Sequence, residues 1–450
     1  MLIAGGLLAG GCDPKKPIAP APKPEGDKAA PADKTTDAKP IEAAKPAAET
    51  TLTAVKAPEV DEKPLIVKIE ALRGKITKDD AGHVVGIIFE DYLKVDQLGF
   101  LADLKHLKKI KLTGPDITDQ IVPLLLKIPT LSDIETENTP LSDKILPEFQ
   151  KFPDLVGLGL RRSDVTDDGL AALVPIKKLE KLLLLYTGIT NDGLKHVGKL
   201  SGLKTLDIRA CLQIDNDGVK HLSGLKNLKS IKFKNQTGIT AACMNELKDI
   251  KLKEIGLDDT LLTDDGLDVL QVFADSMELL HIERTQVSDS GLANIKPLKK
   301  LTLLQARGIP IDGSGLVHIS ELPVLAKLEL AETNVNDDAL KHIGKIKSLE
   351  RLDLWLTKIT DAGLPALADL KKLKWLDIKE TGIGDDGLAA LAGLTELESL
   401  YLDSDKITDK SVPVLSKLTK LKELSIPFTE ISDDGVAKLK AALPSCKIAR

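Results

Sequence analysis

Carboxylates, imidazoles and thiols are the groups that could do chemistry, and in this chain most of them recur at a fixed interval. Ten aspartates occupy one slot of a repeating unit: Asp119, Asp143, Asp167, Asp264, Asp289, Asp337, Asp361, Asp385, Asp409 and Asp433. A stacked row of carboxylates is one way to bind calcium, but a calcium loop needs several oxygen ligands within one turn. These aspartates lie a whole unit apart, each ahead of a helical stretch, so each is expected to cap the helix of its own unit. Four of the seven histidines, His196, His221, His318 and His342, share one helical slot, which makes them a choice of the repeat rather than a catalytic set. His281 stands apart, outward-facing between Leu280 and Ile282, and reads as a contact residue rather than a base. The cysteines Cys12, Cys211, Cys243 and Cys446 form no CxxC pair and no cluster with histidine, so a zinc site is not expected. Cys211 and Cys243 fall in slots otherwise held by Thr and Gly and read as buried, reduced fillers. No Ser/His/Asp order, Gly-rich phosphate loop or metal-ligand spacing is present. The expectation is a non-enzymatic protein with no catalytic residue, metal or cofactor. A net charge of −6 without a basic stripe argues against nucleic acid.

The aromatic side chains point elsewhere. They make up only 3% of the chain, yet both tryptophans fall in adjacent units. Trp355 follows the Leu352-x-Leu354 pair, and Trp375 precedes Leu376 in the next unit. Tyr401 takes an outward place in the unit after, and Phe428 follows the last strand. Arg351, Asp353, Asp377, Lys379, Asp403 and Glu423 would surround them. Exposed aromatics ringed by charge are the composition of a protein-binding hot spot. The competing reading is that the rings lean on one another to shield leucines. A second candidate patch is Arg161, Arg162, Leu183, Leu185, Tyr186 and Arg209.

The elements that hold these groups follow from a 24-residue period. Fourteen copies begin at Leu107, Leu131, Leu155, Leu179, Leu203, Leu228, Leu252, Met277, Leu301, Leu325, Leu349, Leu373, Leu397 and Leu421, with two steps of 25. Such a period means a solenoid, in which each unit buries its apolar face only against its neighbours. Leu-x-x-Leu-x-Leu alternates with period two and predicts a short strand. Gly363-Leu364-x-x-Leu367-x-x-Leu370 has helical spacing and predicts the crossover that parallel strands require. Thr recurs in eight copies just after the strand, where its hydroxyl can bond the backbone. Gly holds its slot in nine copies and reads as a size limit where one crossover meets the next.

These motifs resemble the leucine-rich repeat family, in its Ile-Thr-Asp-x-Gly-Leu, ribonuclease-inhibitor-like variety, as also seen in bacterial lipoproteins. The resemblance covers residues 84–450. It implies an α/β horseshoe with a parallel β-sheet on the concave face, helices on the convex face, and a protein or other macromolecule bound on the concave side. About 15 repeats over 84–435 would sit between an N-terminal cap at 65–83 and a C-terminal cap at 436–450. The N-terminal cap reads as a helix over Leu65–Leu72 followed by two strands around Asp79–Gly82; the C-terminal cap as a helix over Val436–Leu443 and a closing strand.

Residues 1–12 resemble the signal segment and lipobox of bacterial lipoproteins, ending Leu8-Ala9-Gly10-Gly11-Cys12. The resemblance implies lipidation of Cys12, membrane attachment and a cell-envelope location. No basic residue precedes the apolar stretch, which a start placed too far downstream would explain. Residues 13–64 hold ten of the 24 prolines and cannot build a core. In polyproline form they could span on the order of 150 Å, as a stalk. Three functions remain open on these residues: a tethered binding module, a structural envelope spacer without a discrete ligand, and an inhibitor- or adaptor-type repeat protein.

Overall fold

The computed structural model describes residues 61–450 apart from 404 and 405, and not the side chain at 241. The signal-like segment, Cys12 and residues 13–60 of the linker lie outside the described residues. From residue 61 on the chain winds as a succession of short strands and crossovers, and from Lys109–Thr113 onward each strand pairs in parallel with the one 24 or 25 residues on. The strands pair in chain order from Val84–Ile88 to Lys447–Ala449. One antiparallel strand, Lys75–Lys78, closes the first edge against Val84–Ile88. The helix Lys63–Ala71 precedes it, starting two residues before the expected Leu65.

Most strands contain only three residues, such as Arg351–Asp353, because only the middle of Leu-x-x-Leu-x-Leu is flat. The ladder continues past them through a residue of positive φ. Leu356, at φ 54°, donates its N–H to the Lys379 carbonyl at 3.0 Å, and Glu332, at φ 59°, donates to Trp355 at 2.9 Å. The next turn is closed by the repeated threonine. Thr187, Thr260, Thr285, Thr333, Thr357, Thr381 and Thr429 each donate to the carbonyl three residues earlier, at 2.6–2.8 Å. Cys211 fills the same slot and donates its thiol to the Leu184 carbonyl at 3.1 Å. It and Cys243 are buried and unbridged, and burial pushes the Cys243 thiol up to about 12.

Leu349, Leu352, Leu354, Ile359, Leu364, Leu367 and Leu370 of one coil are all fully buried, and their counterparts above and below complete a continuous core. The crossovers differ from expectation. Many are 3₁₀-helices, such as Gly291–Ile295 and Leu364–Leu367, and before the ten-residue helix Asp433–Ala442 only Asn191–Val197 and Asp337–Ile343 reach seven α-helical residues among the described crossovers. A 3₁₀ turn rises about 2.0 Å per residue against about 1.5 Å in an α-helix, so it spans the coil with fewer residues. Pro147 also removes a helix donor.

The aspartate row does not cap its own helices. Asp119, Asp143, Asp167, Asp264, Asp337, Asp385 and Asp409 reach into the next coil. Each accepts the N–H of a Thr or Ser there at 2.7–2.9 Å and its hydroxyl at 2.5–2.7 Å. That hydroxyl in turn accepts an N–H of its own crossover, as Thr190 does from Asp192 at 3.2 Å. Asp433 is taken instead by the Arg450 guanidinium.

The glycine slot is the other half of this device. A Cβ on Gly169, Gly193, Gly291, Gly363, Gly387 or Gly435 would overlap the carboxylate of the preceding coil's aspartate. At one junction the pair is exchanged. Gly313 stands in the aspartate slot and Ala339 in the glycine slot, and a Cβ on Gly313 would overlap the Ala339 methyl. The space is therefore filled once, from one side or the other.

Gly363→Ala is expected to destabilise by about 1–3 kcal/mol through overpacking against Asp337. Asp337→Gly loses charge-assisted hydrogen bonds of comparable size, about 1.5–3 kcal/mol. The double substitution recreates the Gly313/Ala339 arrangement and should cost at least about 1 kcal/mol less than the sum, measured by urea denaturation as a double-mutant cycle. Strict additivity would contradict the shared-space account.

Candidate functional site

The pairing register lines up outward side chains in rows across the sheet, about 4.8 Å apart. Arg351 lies beside Trp375, and Asp353 beside Asp377, which lies beside Tyr401. The structure therefore brings Arg351, Asp353, Trp355, Trp375, Asp377, Lys379 and Tyr401 onto one area of the sheet face. Trp375 and Tyr401 pack with ring centroids 5.2 Å apart at 47°. Arg351 lies over the Trp375 ring at 3.4 Å. Trp355 has Arg307 at 4.7 Å and Lys379 at 5.6 Å from its ring, and Lys379 is also 5.6 Å from the Tyr401 ring. The rings are half-buried, interleaved with cations rather than lying bare. Such contacts contribute roughly 0.5–1 kcal/mol each where exposed.

Three residues expected here behave differently. Phe428 is 86% exposed and sits at φ 58°, past its strand, with Pro427 in the outward slot. No described ring contact joins it to Trp375 or Tyr401, so it belongs to the margin of the sheet rather than to the patch. Asp377 is buried rather than presented, beneath the Lys379 ammonium at 3.3 Å. Asp403 is half-buried and accepts the Ser425 hydroxyl at 3.0 Å.

Glu329, Asp353 and Asp377 stack as three carboxylates on adjacent strands. Arg351 pairs with Glu329 at 3.0 Å, and Lys379 with Asp377. Asp353, between them, accepts the Trp355 amide N–H at 3.1 Å, and no ion pair to it is present among the described residues. Burial raises its carboxyl, against that amide, and Asp377 and Glu329 push it further, to about 6. Burial likewise raises Asp377, against the Lys379 amide and ammonium. The Trp355 indole N–H is buried with no acceptor among the described residues.

Sequence reading missed three contributors, Arg307, Gln305 and Glu329. Gln305 and Glu329 occupy the row that runs from His281 to Asp353, so following that slot through consecutive units would have found them. His281 is indeed outward but not free. Its Nε2 meets Glu254 Oε1 at 3.1 Å, and its Nδ1 meets Gln305 Oε1. Gln305 donates to Glu329 at 2.7 Å. Burial would raise Glu254, but hydrogen bonds from His281, Lys232 and Ser230 hold it at about 2. Burial would lower the His281 imidazole, but its bonds to Glu254 and Gln305 outweigh this and raise it. Beside it Gly256 leaves a hollow of about 250 Å³, rimmed by Arg209, Lys232 and Lys234.

The second candidate patch is internally paired. Arg161 bonds Glu137 at 3.0 Å, Arg162 covers the Tyr186 ring at 4.6 Å, and Arg209 grips Asp207 at 2.8 Å. Leu185 is buried beneath them. Among the described residues no group of three His, Cys, Asp or Glu is placed to hold a metal ion, and no helix is long and apolar enough to cross a membrane.

Residues 295–446, which include the aromatic patch, match the family model of a leucine-rich repeat region. No curated protein matches the chain. Among solved structures, an internalin from Listeria monocytogenes aligns at 17% identity and TM-score 0.45, covering 85% of this chain and 92% of its own. A leucine-rich-repeat protein from Leptospira interrogans aligns at 18% identity and TM-score 0.48, covering 80% and 93%. A plant peptide hormone receptor, solved in a complex, aligns at 16% identity and TM-score 0.42, covering 79% and 56%. Residues 295–446 thus match a leucine-rich repeat region, and the parallel strands and crossovers described here form an α/β solenoid of the fold that such repeats build.

Proposed function

We propose that this chain is a non-enzymatic binding protein that docks a basic segment of another protein on its sheet face, at Asp353, Trp355, Trp375 and Tyr401. Leucine-rich repeats are commonly protein-interaction modules. The observation that carries the reading is Asp353: a half-buried carboxylate between two other carboxylates, flanked by aromatic rings, with no cation of its own. An incoming Arg or Lys would supply that cation and complete the cation–ring alternation already begun by Arg307, Arg351 and Lys379. The lipobox-like residues before Cys12 and the Pro-rich stretch support a tethered, envelope-facing placement of this module. The spacer reading has one observation in its favour: the rings are already covered by the molecule's own cations.

Immobilised full chain should retain an Arg/Lys-rich peptide over an acidic peptide of equal length. Asp353→Asn and Trp355→Ala should each weaken retention about tenfold or more, roughly 1.4 kcal/mol, as expected of hot-spot residues. A cation favours the ionised carboxylate, so affinity should rise as pH climbs through about 6, where Asp353 ionises. Full retention by both variants would favour the spacer.

Fatty-acid labelling in a bacterial host should mark the natural chain and not Cys12→Ala. Equal labelling of the two would remove the anchor.

A further inference from the structure

A file of nine side chains crosses the sheet face, one from each strand: Lys232, Glu254, His281, Gln305, Glu329, Arg351, Trp375, Tyr401 and Glu423. Its hydrogen-bond polarity is set from both sides. Glu329 is a carboxylate and can only accept, so Gln305 must turn its NH₂ toward it. The Gln305 carbonyl oxygen then faces His281 Nδ1, which must carry a hydrogen. Glu254 accepts at Nε2, which must carry one too. The ring that satisfies both is the imidazolium.

A neutral ring breaks the file whichever nitrogen gives up its proton. Without the Nε2 hydrogen, a lone pair faces the Glu254 carboxylate. Without the Nδ1 hydrogen, Gln305 is driven to turn its amide, and its oxygen then faces Glu329. Glu329 is the acceptor that holds Arg351, at 3.0 Å, over Trp375. The groups around His281 are Glu254 and Asp258 with Lys232 from the preceding strands, Glu283 from its own coil, and Gln305 and Glu329 from the strands that follow. Arg209 and Lys234 stand at the rim of the hollow that gives protons access.

We propose that His281 is a proton-operated brace for the docking patch: its doubly protonated ring orients Gln305, which seats Glu329, which in turn holds Arg351 on Trp375. Gln305 and Glu329 are positioning residues. For its role in binding the proposal rests on the docking reading above. Since the His281 value is raised above 6.5, the brace is intact below that value and released as pH climbs through the raised one. Asp353 must be ionised to receive a cation, so docking is strongest in the window above about 6 and below the His281 transition.

Trp355 and Trp375 are the chain's two tryptophans, so emission reports on the patch directly. In full-length Trp355→Phe, the Trp375 emission should change in one titration with a midpoint above 6.5. His281→Gln and Gln305→Leu, each confirmed folded by circular dichroism, should abolish that titration, whereas Asp353→Asn should keep it. A flat emission from pH 5.5 to 9, a transition that survives both His281→Gln and Gln305→Leu, or one lost with Asp353→Asn would overturn the brace. The reading is made without a partner, so it stands or falls separately from docking.

Discussion

A carboxylate seated over a glycine holds this molecule in register. A single coil cannot bury its leucines alone, so its stability comes from its neighbours. Apolar stacking by itself is non-directional and tolerates sliding. The aspartate removes that freedom, because its two oxygens take an N–H and a hydroxyl from the same residue of the next coil, as Asp337 does from Thr360. The glycine two residues past the next coil's aspartate slot leaves room for it. The Gly313/Ala339 exchange shows that volume as well as charge is matched at the junction.

Register at the back of each coil determines what meets at the front. Once the coils are locked, outward residues fall into straight rows, and each side chain is judged by its neighbours one unit away. Rows place Glu329, Asp353 and Asp377 side by side, a column of like charge that costs free energy unless cations intervene. Arg351 and Lys379 intervene for two of them and leave the middle one wanting. Elsewhere rows produce self-sufficient pairs, such as Lys181 bridging Asp133 and Glu135 over Gly157.

Much of this was legible in the chain. The period, the strand positions, the threonine hydroxyl bonds and the size limit at glycine all follow from local pattern. The aspartate partner was not legible. Helix capping is a local motif, whereas the true acceptor geometry joins residues 23 or 24 apart in sequence, as in Asp143 with Thr166. The helix type of the crossovers is not legible either, because apolar spacing of three and four suits both α- and 3₁₀-helices, while the available length decides between them. Phe428 was misplaced because the backbone turns into positive φ after the outward slot, swinging the next side chain to the margin. Gln305 and Glu329 escaped notice because they are ordinary polar residues that matter only through the row they share with His281.

Native-state hydrogen exchange tests the locking of coils most directly, since it reads each junction separately. The Thr190 amide, bonded to Asp167 at 2.8 Å, is the reporter. In Asp167→Ala it should exchange at least about tenfold faster, the loss of roughly 1.4 kcal/mol, while the Thr408 amide at a distant junction keeps its protection. Unchanged protection at Thr190, or equal loosening at both junctions, would contradict the account.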